Sequence, residues 1–256
     1  MKKLLFLTAL LLVLVLPLNS LAASVVLDNN ISFSAGLTTI RWSGDIPEGG
    51  FNVLVAAVNP YESATLFQAA GNEIKGHSVT TGYMAPGKTY EVYVTDSSYH
   101  ILGVETYTVP DVPVFEDGKL KSTSVKISTE LRRGDADLNY KKIKSFKASE
   151  MTSALSAGKD YFYMKYQMRM PQLIRPRTFF VQLVFETPNG YTYVDKAKDI
   201  TFDKVSNGYQ TVWWDAAGFS FFDDLLYFTD SIPSGRYTMT LYWDGCFVNT
   251  STFTVE

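Results

Sequence analysis

The sequence is poor in the residues that most chemistry needs. Its 256 positions hold one cysteine and two histidines. One cysteine makes neither an internal disulfide nor a Cys-based zinc site. No His-Glu-x-x-His and no Gly-x-Ser-x-Gly occurs, so neither a zinc hydrolase nor a serine-hydrolase elbow is expected. His77 and His100 read as surface residues of strands or loops. Positive charge is not in excess either. The 23 Lys+Arg against 26 Asp+Glu give a net charge of -3, which excludes the basic footprint of a nucleic-acid binder. Charged residues make up 19% and hydrophobic ones 46%, a composition of neither a disordered chain nor a polytopic membrane protein. Long helical periodicity is scarce. Aromatic residues are abundant, with 17 Phe, 16 Tyr and 4 Trp.

The first segment reads as an export signal. Lys2 and Lys3 precede an apolar run from Leu4 to Leu18, interrupted by Thr8 and Pro17. Ser20 and Ala22 are small residues at the positions a signal peptidase requires, so cleavage is expected after Ala22. The run is shorter than the roughly 20 residues of a spanning helix, and no second such run follows. No membrane span is therefore expected once the signal is removed. Removing 22 of 256 residues leaves 234, and losing Lys2 and Lys3 moves the charge from -3 to -5. The expected location is secreted or periplasmic. An exported chain with one cysteine must hold itself by packing, and Cys246 is expected as a semi-buried strand residue.

Short runs rich in Val, Thr, Tyr and Phe, bounded by Gly, Pro, Asn and Asp, read as strands throughout. Asn189-Gly190 and Asp244-Gly245 are two-residue hairpin signals. The run from Phe179 to Phe185 is apolar on nearly both faces, with Gln182 the exception, which suits a central strand. A pattern also recurs. Pro86-Gly87-Lys88-Thr89-Tyr90-Glu91-Val92-Tyr93-Val94 leads to Glu105-Thr106-Tyr107-Thr108-Val109. Pro233-Ser234-Gly235-Arg236-Tyr237-Thr238-Met239-Thr240-Leu241 leads to Ser251-Thr252-Phe253-Thr254-Val255. Each reads as a turn, a strand, a tight connection and a last strand, which predicts two domains closing alike. Pro110 to Gly118, with two prolines and three acids, reads as a stiff extended linker. A short helix or turn is expected within Lys141 to Ala157.

Met84-Ala85-Pro86-Gly87-Lys88-Thr89-Tyr90-Glu91-Val92-Tyr93-Val94 resembles the fibronectin type III pattern of an apolar residue, Pro-Gly and Tyr-x-Val-x-Val. Leu37-Thr38-Thr39-Ile40-Arg41-Trp42 and Phe51-Asn52-Val53-Leu54-Val55 resemble that family's second and third strands. The resemblance covers about Ser24 to Val109. It implies a seven-stranded sandwich with Tyr90 as tyrosine corner and Trp42 as core anchor. Met84 in place of Leu and the irregular stretch from Tyr61 to Gly76 depart from the pattern. The closing sequence from Ser234 to Gly245 and Phe253-Thr254-Val255 is similar to C-terminal immunoglobulin-like domains of bacterial envelope proteins. Taken together, the expectation is an all-β protein of two tandem antiparallel β-sandwiches. Residues 23–109 form the first, 110–124 the linker and 125–256 the second.

Candidate binding residues follow. Trp213-Trp214-Asp215-Ala216-Ala217-Gly218-Phe219-Ser220-Phe221-Phe222 concentrates aromatic rings. Trp213, Trp214, Phe219 and Phe221 either stack on a sugar or fill a core. Tyr161-Phe162-Tyr163 poses the same choice. Asp96-Ser97-Ser98-Tyr99-His100 is expected at a hairpin tip, a place suited to binding or simply a solvated turn. Arg133-Gly134-Asp135 matches an integrin-read tripeptide, and Asn30-Ile31-Ser32 and Asn249-Thr250-Ser251 match the glycosylation pattern. Asp135-Ala136-Asp137-Leu138-Asn139 offers oxygens at calcium-loop spacing. Tyr140 and Phe146 stand where Gly and Glu are needed, so no metal and no cofactor is expected. Asp223-Asp224 with Asp230 reads as surface acids rather than a calcium loop. The resulting expectation is a non-enzymatic adhesion, scaffold or binding protein of the bacterial envelope or extracellular space, with a protein or glycan partner. A carbohydrate-binding protein using its aromatics is the alternative, and a carboxylate-pair glycosidase a third reading.

Overall fold

In the computed structural model the described residues are 25–45, 50–57, 65–70, 74, 76–117, 120–121, 125–135, 140–158, 160–170, 173, 175–203, 210–215 and 221–256. The expected signal segment, residues 1–22, lies outside them. The chain is built mainly of antiparallel strands and divides between Asp111 and Val112 into two compact units. Among the described residues no helix is long and apolar enough to cross a membrane.

In the first unit β3 (Leu37–Gly44) is the centre of one sheet. The short strands β1 (Val25–Leu27) and β2 (Ser32–Ser34) follow its lower and upper halves, and β6 (Ser78–Thr81) also pairs with it. The second sheet has the order β5-β4-β7-β8, from Thr65–Ala70, Phe51–Ala57, Thr89–Asp96 and Ile101–Thr108. Alternation dictates the buried rows. Val25, Leu27, Ile40 and Trp42 are buried from the first sheet, and Val53, Val55, Tyr90, Val92, Val94 and Tyr107 from the second. The Trp42 ring meets Phe51 of the second sheet edge-on at 5.8 Å, so the apolar faces meet. Tyr107 donates its hydroxyl to the Asp28 carbonyl at 2.5 Å. Burial first, then Glu105 and Asp28, push that hydroxyl's pKa up to about 12.

Gly103 marks where β8 and β1 come closest. A Cβ there would lie 2.6 Å from the Val25 carbonyl oxygen, an atom of backbone that cannot swing aside. Gly103→Ala is expected to cost about 1–3 kcal/mol through overpacking. Urea denaturation checks it, and a wild-type midpoint in the variant would refute the close approach.

Among the described residues the second unit has a two-stranded ribbon, β9 (Glu116–Asp117) with β10 (Leu120–Lys121), and two four-stranded sheets. One runs β12-β11-β13-β16, from Tyr140–Lys142, Lys126–Asp135, Asp160–Met170 and Gln210–Asp215. The other runs β15-β14-β17-β18, from Thr192–Phe202, Arg177–Glu186, Gly235–Trp243 and Cys246–Val255. As its two-sided apolar pattern predicts, β14 is central, with Phe179, Val181, Leu183, Val184 and Phe185 all buried. Its core is aromatic. Trp243 stacks on Phe179 at 4.5 Å and meets Phe115 edge-on. A second cluster joins Phe146 to Phe162, Phe222 and Phe253.

Among the described residues two helices interrupt the strands. Helix α1 (Ala148–Ser156) falls inside the stretch where a helix was expected and buries Met151 and Leu155. Gly158, at φ 62, ends it by returning its amide to Leu155, a left-handed cap suited to glycine. Helix α2 (Phe221–Thr229) was not expected. Phe222 and Leu225 face inward from it, each with no exposed surface.

The turns divide in their outcome. Asp244 at φ 48 and Gly245 at φ 78 form the expected two-residue turn, with Trp243 opposite Cys246. Asn189-Gly190 does not. Gly190 alone has positive φ, and its amide bonds Thr187, so the loop is a three-residue one. Pro188, fixed near φ −65°, suits the first corner of a type I turn.

The stretch expected as an extended linker, 110–124, is only partly so: Val112 to Phe115 lies along the second unit, and β9 then turns back to pair antiparallel with β10. Val114 forms a parallel bridge with Phe247. The amides of Phe115 and Phe247 bond the Phe247 and Pro113 carbonyls at 2.7 and 2.9 Å. Phe115 is buried. At the other end of β18, Phe146 bridges Val255 in parallel, and the Ala148 amide bonds the Glu256 carbonyl at 2.7 Å. That bond satisfies a first-turn donor of α1 which Lys147 leaves uncapped.

The recurring pattern extends beyond the closing hairpins. The order β5-β4-β7-β8 is matched by β15-β14-β17-β18, and β6 and β16 each cross to the other sheet to pair with β3 and β13. Tyr90 lies opposite Tyr107 and Tyr237 opposite Phe253, and each first strand shifts register four residues after its tyrosine. Both tyrosines are fully buried. The Tyr90 hydroxyl accepts from the Ala85 amide at 2.7 Å, and the Tyr237 hydroxyl donates to the Pro233 carbonyl at 2.8 Å. In each unit the phenol ties the strand to the turn before it.

Candidate functional site

The aromatic cluster is divided by the fold. Trp213 and Trp214 lie on β16, at the edge of its sheet, opposite Gln167 and Tyr166 of β13. Phe221 opens α2. Phe219 lies outside the described residues, as do the side chains of Trp213, Trp214 and Phe221. Phe222, next to Phe221, is core: it meets Phe146 at 5.5 Å and Tyr237 at 6.2 Å. Phe162 of the second cluster is likewise buried. Asp223 and Asp224 sit in the first turn of α2 rather than in a loop.

The hairpin tip between β7 and β8 is the best-formed polar site in the first unit. Asp96 organises it. Its Oδ1 accepts from the Ser98 and His100 amides at 2.8 and 2.9 Å, and its Oδ2 lies 2.9 Å from His100 Nδ1. Tyr99, at φ 66, takes the left-handed corner, costly for a tyrosine. Its hydroxyl is held by Gln68 Nε2 of β5 at 3.1 Å. Asn52 of β4 donates to the Asp96 carbonyl at 3.1 Å. A band of amide, carboxylate, phenol and imidazole thus crosses one end of the sheet. The His100 side chain is 62% exposed and Tyr99 is 37% exposed. The arrangement presents hydrogen-bonding groups beside a ring.

Neither family models nor curated proteins give a match to this sequence. Function therefore rests on the chain's own geometry.

Burial pushes the Asp96 carboxyl up, but the bonds from His100 and Ser98 outweigh it, and the net shift is below the ordinary 3.8. A depressed carboxyl stabilises the folded state above its ordinary pKa. That contribution is lost as pH falls from about 4 through the lower folded value. Asp96→Asn is expected to flatten the acid limb of the first unit's stability below pH about 4. Acid titrations of both proteins by circular dichroism check it, and superimposable acid limbs would remove the role given to Asp96.

The other sequence candidates are structural. His77 Nε2 lies 3.0 Å from the Gly44 carbonyl and its ring meets Trp42. Arg133-Gly134-Asp135 does not protrude: it closes β11, Gly134 is buried, and Arg133 pairs with Glu150. Asn249 is committed within β18, donating to the Val125 carbonyl at 2.6 Å. Cys246 is semi-buried, as expected, and burial, with Asp244 adding, pushes its thiol up. Residues 136–139 of the calcium-spaced stretch lie outside the described residues. Among the described residues no cluster of three potential metal ligands occurs.

Sequence reasoning missed Gln68 and Asn52 as partners of the hairpin tip. They lie on strands distant in sequence, and no local pattern joins them.

Proposed function

We propose that the chain is an exported, non-enzymatic adhesion, binding or scaffold protein of the bacterial envelope or extracellular space, built of two tandem β-sandwiches. The first is of fibronectin type III kind and the second immunoglobulin-like. The observation that carries this reading is the repeated strand connection, with the buried tyrosine tied to its preceding turn in both units. Such modules present edges and loops on packed cores and suit recognition rather than turnover. The test is chemical cross-linking of the processed protein on intact cells. Recovery of a protein partner is expected, and free monomer alone would sink the adhesive form. Processing is tested by sequencing the exported protein's N-terminus, expected at Ala23; an intact Met1 would remove the signal peptide.

Carbohydrate binding is the second reading. It is favoured by two successive tryptophans on an edge strand, since successive strand positions belong to opposite faces. A polysaccharide pull-down with Trp213→Ala and Trp214→Ala tests it, and absence of retention on every glycan would count against it.

A further inference from the structure

Charge is unevenly spread along the chain. Between residues 126 and 147 seven basic side chains stand against three acidic ones, in a protein of net charge -3. The fold gathers them. β12 pairs with the end of β11, placing Lys142 opposite Arg132 and Lys141 opposite Arg133, at the outer edge of a four-stranded sheet. Lys144 and Lys147 follow directly, leading into α1.

The cations differ in what holds them. Glu130 takes Arg132 and Lys142 at 2.5 and 3.0 Å. Those two bonds, Lys142 first, hold its carboxyl below the ordinary range. Arg133 pairs with Glu150 and lies 5.4 Å over the Phe162 ring. Lys126, Lys141, Lys144 and Lys147 are exposed. The paired cations fix the edge, and the exposed lysines line it.

We propose that this β11–β12 edge is a docking surface for an acidic polysaccharide, a polymer carrying carboxylates along a chain of sugars. Three observations favour that partner. Charge complementarity requires an anion. A membrane surface calls for large apolar side chains beside the cations; among the described residues the exposed ones are Val26, Leu37, Tyr99, Ile101, Val104 and Val114, none on this edge. A denser polyanion such as duplex DNA is opposed by the net negative charge of the whole chain. The opposite edge of the same sheet carries Trp213 and Trp214, about 14 Å away at the ordinary strand spacing. This inference rests on the binding-protein reading, and its test leaves the aromatic candidates untouched.

The test uses the full processed chain on immobilised polygalacturonate, with neutral dextran, phosphatidylglycerol vesicles and duplex DNA alongside. Wild type is expected to be retained on polygalacturonate at about 0.01 M ionic strength, where screening reaches about 30 Å, and released by about 1 M, where it reaches about 3 Å. Combined Lys141→Glu, Lys144→Glu and Lys147→Glu should weaken binding at least tenfold. A control with the same charge change, Arg41→Glu, Lys198→Glu and Arg236→Glu, should stay within about twofold, and both variants should keep the wild-type circular dichroism. The proposal is overturned if wild type is not retained, if both variants lose binding equally, or if vesicles or DNA bind more tightly than polygalacturonate. Failure here with a protein partner still recovered on cells removes only this surface. Retention here with no protein partner removes only the protein-adhesive reading.

Discussion

Trp243→Ala is expected to destabilise the second unit by about 3–5 kcal/mol, the range for removing a buried large aromatic side chain. Against a typical domain stability of roughly 5–15 kcal/mol, that is enough to unfold part of the population. The size follows from what the ring touches. It is fully buried, stacks on Phe179 at 4.5 Å with 13° between planes, and borders Phe115 and Phe202 at 5.5 Å each. Alanine leaves three rings facing a void that β14 and β17, hydrogen-bonded along their length, cannot close. Phenylalanine is the informative companion. The Trp243 Nε1 is buried without a hydrogen-bond partner, a standing cost of about 1–3 kcal/mol. Trp243→Phe keeps a stack and removes that orphan, so it should cost under about 2 kcal/mol. Urea denaturation, with the first unit's transition as internal reference, measures both. Equal losses for Ala and Phe would show that stacking does not matter here.

Tyr90→Phe is expected to cost about 1–3 kcal/mol, and Tyr237→Phe less. The two phenols occupy matching places but play opposite roles. Tyr90 accepts from the amide of Ala85, which is 1% exposed. Removing the acceptor strands a buried N–H, which bears the full desolvation penalty. Tyr237 donates to the Pro233 carbonyl, a half-buried group near solvent. Removing the donor leaves an acceptor that water can reach. Thermal unfolding of the two single variants gives the comparison. A larger loss at Tyr237 would mean that the second unit leans on its turn more than the first.

Closing hairpins were legible because their determinants are local. Tyrosines, alternating Thr and Val, and a Pro- and Gly-bearing turn lie within a few residues of each other. Asp244-Gly245 was legible for the same reason. Asn189-Gly190 was misread because Pro188, one position earlier, excludes positive φ at itself and favours the longer loop. Helix α2 was hidden by its Phe and Leu, which read as strand. The paired order Phe221-Phe222, Asp223-Asp224, Leu225-Leu226 has a helical rather than a two-residue period, and that signal was available. Phe115 was hidden by its prolines and acids, since composition does not report a parallel bridge to a strand more than a hundred residues on. The hairpin tip was located by sequence, but the band from Gln68 through Asn52 to Asp96 needed the fold to assemble it.

The parallel bridges of β18 bear on how the second unit carries tension. Its first stretch, at Val114, and its last strand, at Phe247, run in the same direction side by side. A pull that separates residue 112 from residue 256 therefore slides these segments past one another. Their hydrogen bonds share the load and yield together, whereas a hairpin pulled from its open end parts one bond at a time. The Phe115 ring, set edge-on against the stacked Phe179 and Trp243, must leave the core in the same event. Stretched from its two ends, this unit is expected to unfold at higher force than a Phe115→Ala variant. For a chain tethered between a surface and a ligand, resistance to shear would then reside in Pro113, Val114 and Phe115, just ahead of β9.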